Sequence, residues 1–229
     1  MGWKASTIII HKPTKIDNLE LLKELGFDNL TKIEDEPFEV AINPDDNKVY
    51  IGSYKDNLLI CAPDIPMQFF EELETPTEKI LKLKFPNSEI CSIILQSTVN
   101  LWGYSITVNG QKIRARVGSA DDGTFVELGE PLNEEKELLS KSKLDENGNR
   151  IYLLDDFPDE PFNEDQVGEN FVFSICKRYF DEELDSADAL LFDTTLTGYK
   201  YKKSTKKETN TTKQERQKTN NNKPWWKFW

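Results

Sequence analysis

The most pointed chemical pattern in this sequence is Trp225, Trp226, Lys227, Phe228 and Trp229, where three of the five tryptophans stand together with a lysine among them. Indole rings favour the boundary between water and apolar matter, and lysine is drawn to anionic lipid, so such a cluster has the physics of a membrane-surface anchor. It equally suits a short peptide that docks into a partner's apolar groove. Stacking on single-stranded nucleic acid is a weaker fit. Folding back onto the rest of the chain is the structural alternative. The sequence thus predicts a protein partner or an anionic membrane surface, with nucleic acid disfavoured.

A second pattern is basic. Lys112, Arg114 and Arg116 alternate along a β-patterned segment and would form a stripe in otherwise acidic surroundings. That stripe is either an anion site or one side of cross-strand pairs with acids such as Glu127. Other candidates weaken when their chemistry is checked. Residues 145–149 open like a calcium loop, but Arg150 and Asp156 stand where an EF-hand needs glycine and a bidentate glutamate, so a hairpin turn is expected. The acids Asp155, Asp156, Asp159, Glu160, Glu164 and Asp165 form a charge run of the kind that is normally solvated. His11 is the sole histidine and sits at the end of a β-branched run, and no nucleophile-elbow, phosphate-loop, zinc-protease or dinucleotide pattern occurs. No metal and no cofactor is implied. Chemistry by carboxylates alone stays open, because sequence does not show which of them converge.

The elements that must position these residues read as α+β. Residues 5–11 form a buried strand, and 16–25 a helix with Ile16, Leu19, Leu22 and Leu25 on one face and Gly26 as its stop. Phe38, Val40 and Ile42 alternate as in a strand, and 49–54 with 58–62 form a hairpin. Short helical stretches follow around 67–73 and after Thr75-Pro76, then a doubly buried strand over 89–95. Asn109-Gly110 marks a tight hairpin over 102–117. With an unbroken ladder, Ile106 opposes Ile113 and Tyr104 opposes Ala115, which leaves Lys112, Arg114 and Arg116 on the polar face. Beyond it come a strand over 125–128, a helix over 133–140, a strand over 151–154, a long helix from Asn163 and a strand over 190–197. The long helix presents Val167, Phe171, Val172, Ile175, Cys176, Tyr179 and Phe180 as a broad apolar face. The expected architecture is a largely antiparallel or mixed sheet covered by one long and several short helices.

Taken in order, several of these landmarks resemble a family of uncharacterised bacterial proteins. They are Met1-Gly2-Trp3-Lys4 at the start, Trp102-Gly103-Tyr104 before Asn109-Gly110, and Arg114-Ala115-Arg116. Ala120-Asp121-Asp122-Gly123, Gly129-Glu130-Pro131-Leu132 and Glu135 complete the series. The resemblance covers roughly residues 1 to 180 of this sequence. It implies a bacterial, cytoplasmic setting and singles out Arg114, Arg116, Asp121, Asp122 and Glu135 as a candidate polar constellation. It brings no activity with it.

The chain of 229 residues has a formal net charge of −12, and that figure conceals two unlike parts. Residues 200–229 hold ten basic residues against two acids, and residues 1–199 hold 19 against 39. An acidic α+β domain over 1–199 therefore carries a basic, low-complexity tail over 200–229. Cys61, Cys91 and Cys176 are odd in number, widely spaced and set among apolar residues, as expected of free buried thiols in a reducing cytoplasm. The tail would allow peripheral attachment at the inner face of a membrane. The functional expectation is a non-enzymatic interaction module working through residues 225–229. The rival is a small-ligand or carboxylate-dependent enzyme domain using the Arg114 and Arg116 face.

Overall fold

In the computed structural model, residues 2–155 and 157–202 are described. Residues 225–229, and with them the aromatic cluster and most of the tail, lie outside these. Along the chain come β1 (Lys4–His11), α1 (Asn18–Glu24), β2 (Asp28–Lys32), β3 (Glu36–Pro37), α2 (Phe38–Ala41), β4 (Lys48–Tyr54) and β5 (Asn57–Cys61). A 3₁₀ turn (Pro66–Phe70) leads to α3 (Pro76–Lys84), β6 (Glu89–Gln96), β7 (Leu101–Val108), β8 (Gln111–Ser119) and β9 (Gly123–Leu128). The last third holds α4 (Asn133–Ser140), β10 (Ser142–Leu144), β11 (Arg150–Leu154), β12 (Phe157–Asn163), α5 (Glu164–Phe180), α6 (Asp188–Leu191) and β13 (Thr195–Lys202).

The strands form a ten-stranded sheet in the order β2-β13-β4-β5-β1-β6-β7-β8-β9, with β3 paired to β13, and a small sheet β10-β11-β12. Their pairings are antiparallel. The molecule is α+β, as expected from the sequence. Period-two patterning splits the core cleanly between the two faces of the large sheet. Ile9, Leu59, Cys91, Ile93, Tyr104 and Ile106 face α5, whereas Ile8, Ile10, Leu58, Ile60 and Ile90 pack with Leu21, Leu22, Leu81 and Phe85 of the α1 and α3 side. Cys61, Cys91 and Cys176 are free and buried. Burial pushes their thiols up, Cys61 to about 12.

Four details depart from the sequence reading. Residues 38–42 are not a strand: Phe38 donates its amide to the Thr194 carbonyl, and the chain turns as α2, burying Phe38, Ala41 and Ile42 while Val40 stays exposed. The alternating pattern there also satisfies one turn of helix, whose buried positions are three and four apart. In α1 the buried leucines are Leu21 and Leu22, and Leu19 is exposed. Residues 190–197 divide between the end of α6 and the start of β13, and β13 runs past position 199 to Lys202.

The fourth departure is the hairpin of β7 and β8. The Asn109-Gly110 turn is as expected, with φ of 49° and 74°. The ladder then slips between Ile106 and Thr107, and Ile106 pairs with Arg114, Ser105 with Ala115 and Tyr104 with Arg116. Ile113 is the extra residue of a β-bulge, so every side chain beyond it moves to the other face. Lys112 stays with the α3 side, pairing with Glu78 at 2.9 Å, while Arg114 and Arg116 turn inward beneath α4 and α5.

Candidate functional site

Arg114 and Arg116 sit two residues apart on one face of β8, 0% and 2% exposed. A buried guanidinium is tolerated only when its N–H groups find acceptors. Arg114 finds them in every direction. Its Nε donates to both Glu135 oxygens at 3.1 and 3.0 Å, and its Nη2 to Glu135 at 2.6 Å and Glu127 at 3.2 Å. Its Nη1 donates to the Leu128 and Gly129 carbonyls at 3.2 and 2.7 Å. Gly129 can approach so closely because it has φ +79° and lacks a Cβ, which would stand 1.9 Å from the Ile113 carbonyl oxygen.

Glu135 is itself fully buried in the first turn of α4, where its Oε2 also accepts the Leu132 amide at 2.7 Å. The Tyr104 hydroxyl donates to its Oε1 at 2.5 Å. Burial, then the neighbouring Glu135 charge, pushes the Tyr104 hydroxyl well above its ordinary pKa, so it stays a donor. Burial, the largest single influence, would weaken the charge on Arg114, but its hydrogen bonds to Glu135 and Glu127 and the electrostatic influence of Tyr104 and Glu135 together outweigh it and hold it cationic.

Arg116 is held differently. Its Nη2 donates to Glu164, the first residue of α5, and its guanidinium lies 4.5 Å from the Phe171 ring centre and 5.3 Å from that of Trp102. Glu164 also accepts from the Tyr152 hydroxyl at 2.6 Å and from the Thr124 hydroxyl. Burial would raise the pKa of Glu164, but the Arg116 charge and these hydrogen bonds outweigh it and hold the carboxyl below its usual range. Arg116 Nε and Nη1 and Trp102 Nε1 meet no hydrogen-bond acceptor among the described residues. The Trp102 indole fits between two glycines, since a Cβ on Gly118 or Gly168 would come within 2.9 or 2.0 Å of it.

A third arginine repeats the theme at the other end of α5. Arg178 makes a two-pronged contact with Glu89 of β6, at 2.5 and 3.0 Å, and reaches Glu134 of α4 at 3.0 Å, while the Tyr179 hydroxyl donates to Glu89 at 2.6 Å. Consecutive residues of α4, Glu134 and Glu135, thus tie it to α5 and to β8. The arrangement fastens helices to the sheet with charge-assisted bonds.

Of the constellation singled out from the sequence, Arg114 and Glu135 are joined directly and Arg116 lies beside them. Asp121 and Asp122 sit beyond the far end of β8, five residues or about 17 Å along the strand from Arg114 at its closest. There they line a cleft of about 280 Å³ with Met67, Ile94 and Leu101. Glu127 does pair with Arg114, at 3.2 Å, and lies 3.6 Å from Arg116. Sequence reasoning missed Glu164 as a partner of Arg116, having read it as part of a solvated acidic run, and it missed Tyr104, Tyr152 and the Arg178 cluster. The signal for Glu135 was legible in its spacing from Leu132, that of a carboxylate capping its own helix start. Asp145 accepts the amides of Asn147 and Asn149 at 2.8 Å, which makes 145–149 a hairpin turn. His11 bonds to Asn57 at 2.9 Å through Nδ1. Among the described residues no group of three or more His, Cys, Asp or Glu is placed to hold a metal ion, and no helix is long and apolar enough to cross a membrane.

Fold and site together define an α+β protein built on one large antiparallel sheet, with a network of arginines and glutamates locked between that sheet and a pair of helices. Residues 17–199 match a family of unknown function (DUF6928), and the chain belongs to that family. The resemblance drawn from the ordered motifs, to an uncharacterised family, holds at that level. The comparison with curated proteins and that with solved structures each found no match.

Proposed function

We propose that this chain is an interaction module that engages a protein partner through Trp225, Trp226, Lys227, Phe228 and Trp229. One observation carries the reading: the side chains best suited to chemistry are spent inside the fold. All the N–H groups of Arg114 have acceptors within the protein, and Glu135 is wholly buried. A ligand would have to break that network to reach either group. The concentrated aromatic and cationic segment is the element whose chemistry best suits recognition of something else.

A protein groove is favoured over an anionic membrane because residues 1–199 carry 39 acids against 19 bases, and lipid of the same sign would be repelled as the domain approached. The free thiols of Cys61, Cys91 and Cys176 support a reducing, cytoplasmic setting.

The test compares the full chain with its Trp225→Ala/Trp226→Ala/Trp229→Ala variant in partner capture and in co-sedimentation with liposomes of anionic lipid. Loss of specific capture with no liposome binding by either chain is the expected outcome. Liposome binding that vanishes in the variant would replace the partner with a membrane. Identical behaviour of both chains in both assays would end the proposal.

A further inference from the structure

Away from the arginine network the surface holds a groove of about 400 Å³ between the start of β1, the end of α2 and α6. Its apolar lining is Trp3, Ile42, Leu191 and Phe192, and Phe192 is 54% exposed although it is a large hydrocarbon. Trp3 stands edge-on to Phe173, 5.2 Å between ring centres, so one wall is backed by core aromatics. The groove's charges are the exposed Glu39, Asp185 and Asp188 against Lys4. It is an apolar trough with an acidic rim, of the size that takes a small group of apolar side chains.

The same chain contains the matching chemistry. Residues 224–229 place Lys227 among three tryptophans and a phenylalanine, and residues 203–223 add further net positive charge. Reach is no obstacle. β13 ends at Lys202, and Tyr201 donates its amide to the Asn47 carbonyl at 2.9 Å. Asn43 lines the groove only four residues earlier, which puts it at most about 14 Å from Asn47. Residues 203–223, if fully extended, would span about 70 Å, several times what is needed.

We propose that residues 224–229 dock in this groove of their own chain, their aromatic rings against Trp3, Ile42, Leu191 and Phe192 and Lys227 against Asp185 and Asp188. The docking rests on the reading of 224–229 as a recognition segment and adds regulation to it. An outside partner must compete with the groove for the same rings, so the groove sets a threshold for engagement and screens the tryptophans from unwanted contacts.

The experiment uses the full chain without any partner, so its result does not depend on whether capture succeeds. An Asn221→Cys substitution supplies one accessible thiol for a nitroxide label, because Cys61, Cys91 and Cys176 are fully buried with raised thiol pKa values. Paramagnetic broadening is then read from the amide signals. Broadening is expected at Asn43, Leu191 and Phe192 and not along α3. It should fall several-fold in 0.5 M salt and in a chain that also carries Asp185→Lys and Asp188→Lys, whose exposed positions tolerate the change. Three results would each overturn the proposal: no broadening at the groove, stronger broadening at the Asp121 and Asp122 cleft, or broadening only of unlabelled molecules mixed with labelled ones. The last would assign the segment to a second copy of the chain.

Discussion

Glu135 is a carboxylate on which five hydrogen bonds converge. It neutralises a guanidinium that is 0% exposed, accepts a tyrosine hydroxyl and holds the first turn of its own helix. Removing one member of a buried ion pair leaves the other charge uncompensated, which costs about 3–5 kcal/mol. Glu135→Ala should therefore lower stability by about that amount in chemical denaturation. Glu127 is 52% exposed and screened by water, so Glu127→Ala should cost at most about 1 kcal/mol although it touches the same arginine. Equal effects of the two changes would contradict the assignment. Protonation probes the same bonds. Glu164 and Glu89 have pKa values held below the ordinary carboxyl range, so their contribution is present above about pH 4.3 and is lost as pH falls below it. The buried thiols are shifted the other way, so stability is kept below about pH 8.5 and declines above it as the unfolded chain ionises first. A denaturation midpoint measured across pH should form a plateau between these limits. A midpoint that did not fall as pH dropped below 4 would refute the role given to the two glutamates. Pairing of Arg114 with Glu127 was legible from neighbouring strands. Pairing of Arg116 with Glu164 was not, because 48 residues separate them and only the packing of α5 brings them together.

At the scale of elements, the decisive event is a single β-bulge. Binary pattern and turn chemistry agreed on the β7–β8 hairpin, and both were right about the turn. The register beyond it turns on Ile113, which stands with Arg114 against Ile106. A lone extra residue has no signature in a period-two pattern, so the arginines read as a solvent-facing stripe when they lie under helices. The cost of burying them is met by α4 and α5, whose first turns supply Glu135 and Glu164. The apolar face of α5 was fully legible, since Val167, Phe171, Val172, Ile175, Cys176, Tyr179 and Phe180 are all buried. Gly168 lets that helix lie against Trp102. Gly168→Ala would put a methyl group 2.0 Å from the indole and force α5 outward, a loss of about 1–3 kcal/mol. Near-ultraviolet circular dichroism of the Trp102 band should weaken with it, and an unchanged band with unchanged stability would show that the helix does not approach as described.

For the molecule as a whole, charge is the organising quantity. The domain concentrates acid while the segment that follows concentrates base, and no value for the entire chain reports either. Such a division favours attraction between the two, and any charge-driven contact of the basic segment would weaken with salt. On the function proposed above it also separates two duties that one set of residues would otherwise share, with the buried arginines holding the fold and the tryptophans assigned to recognition. That division is the central claim, and partner capture measured on two full-length variants tests it most directly. The Trp225→Ala/Trp226→Ala/Trp229→Ala chain should lose capture while unfolding near the midpoint of the parent. Glu135→Gln, assayed at a temperature where it remains folded, should retain capture. Capture that survives loss of the three tryptophans and disappears with Glu135→Gln would place recognition in the charged network and contradict the account.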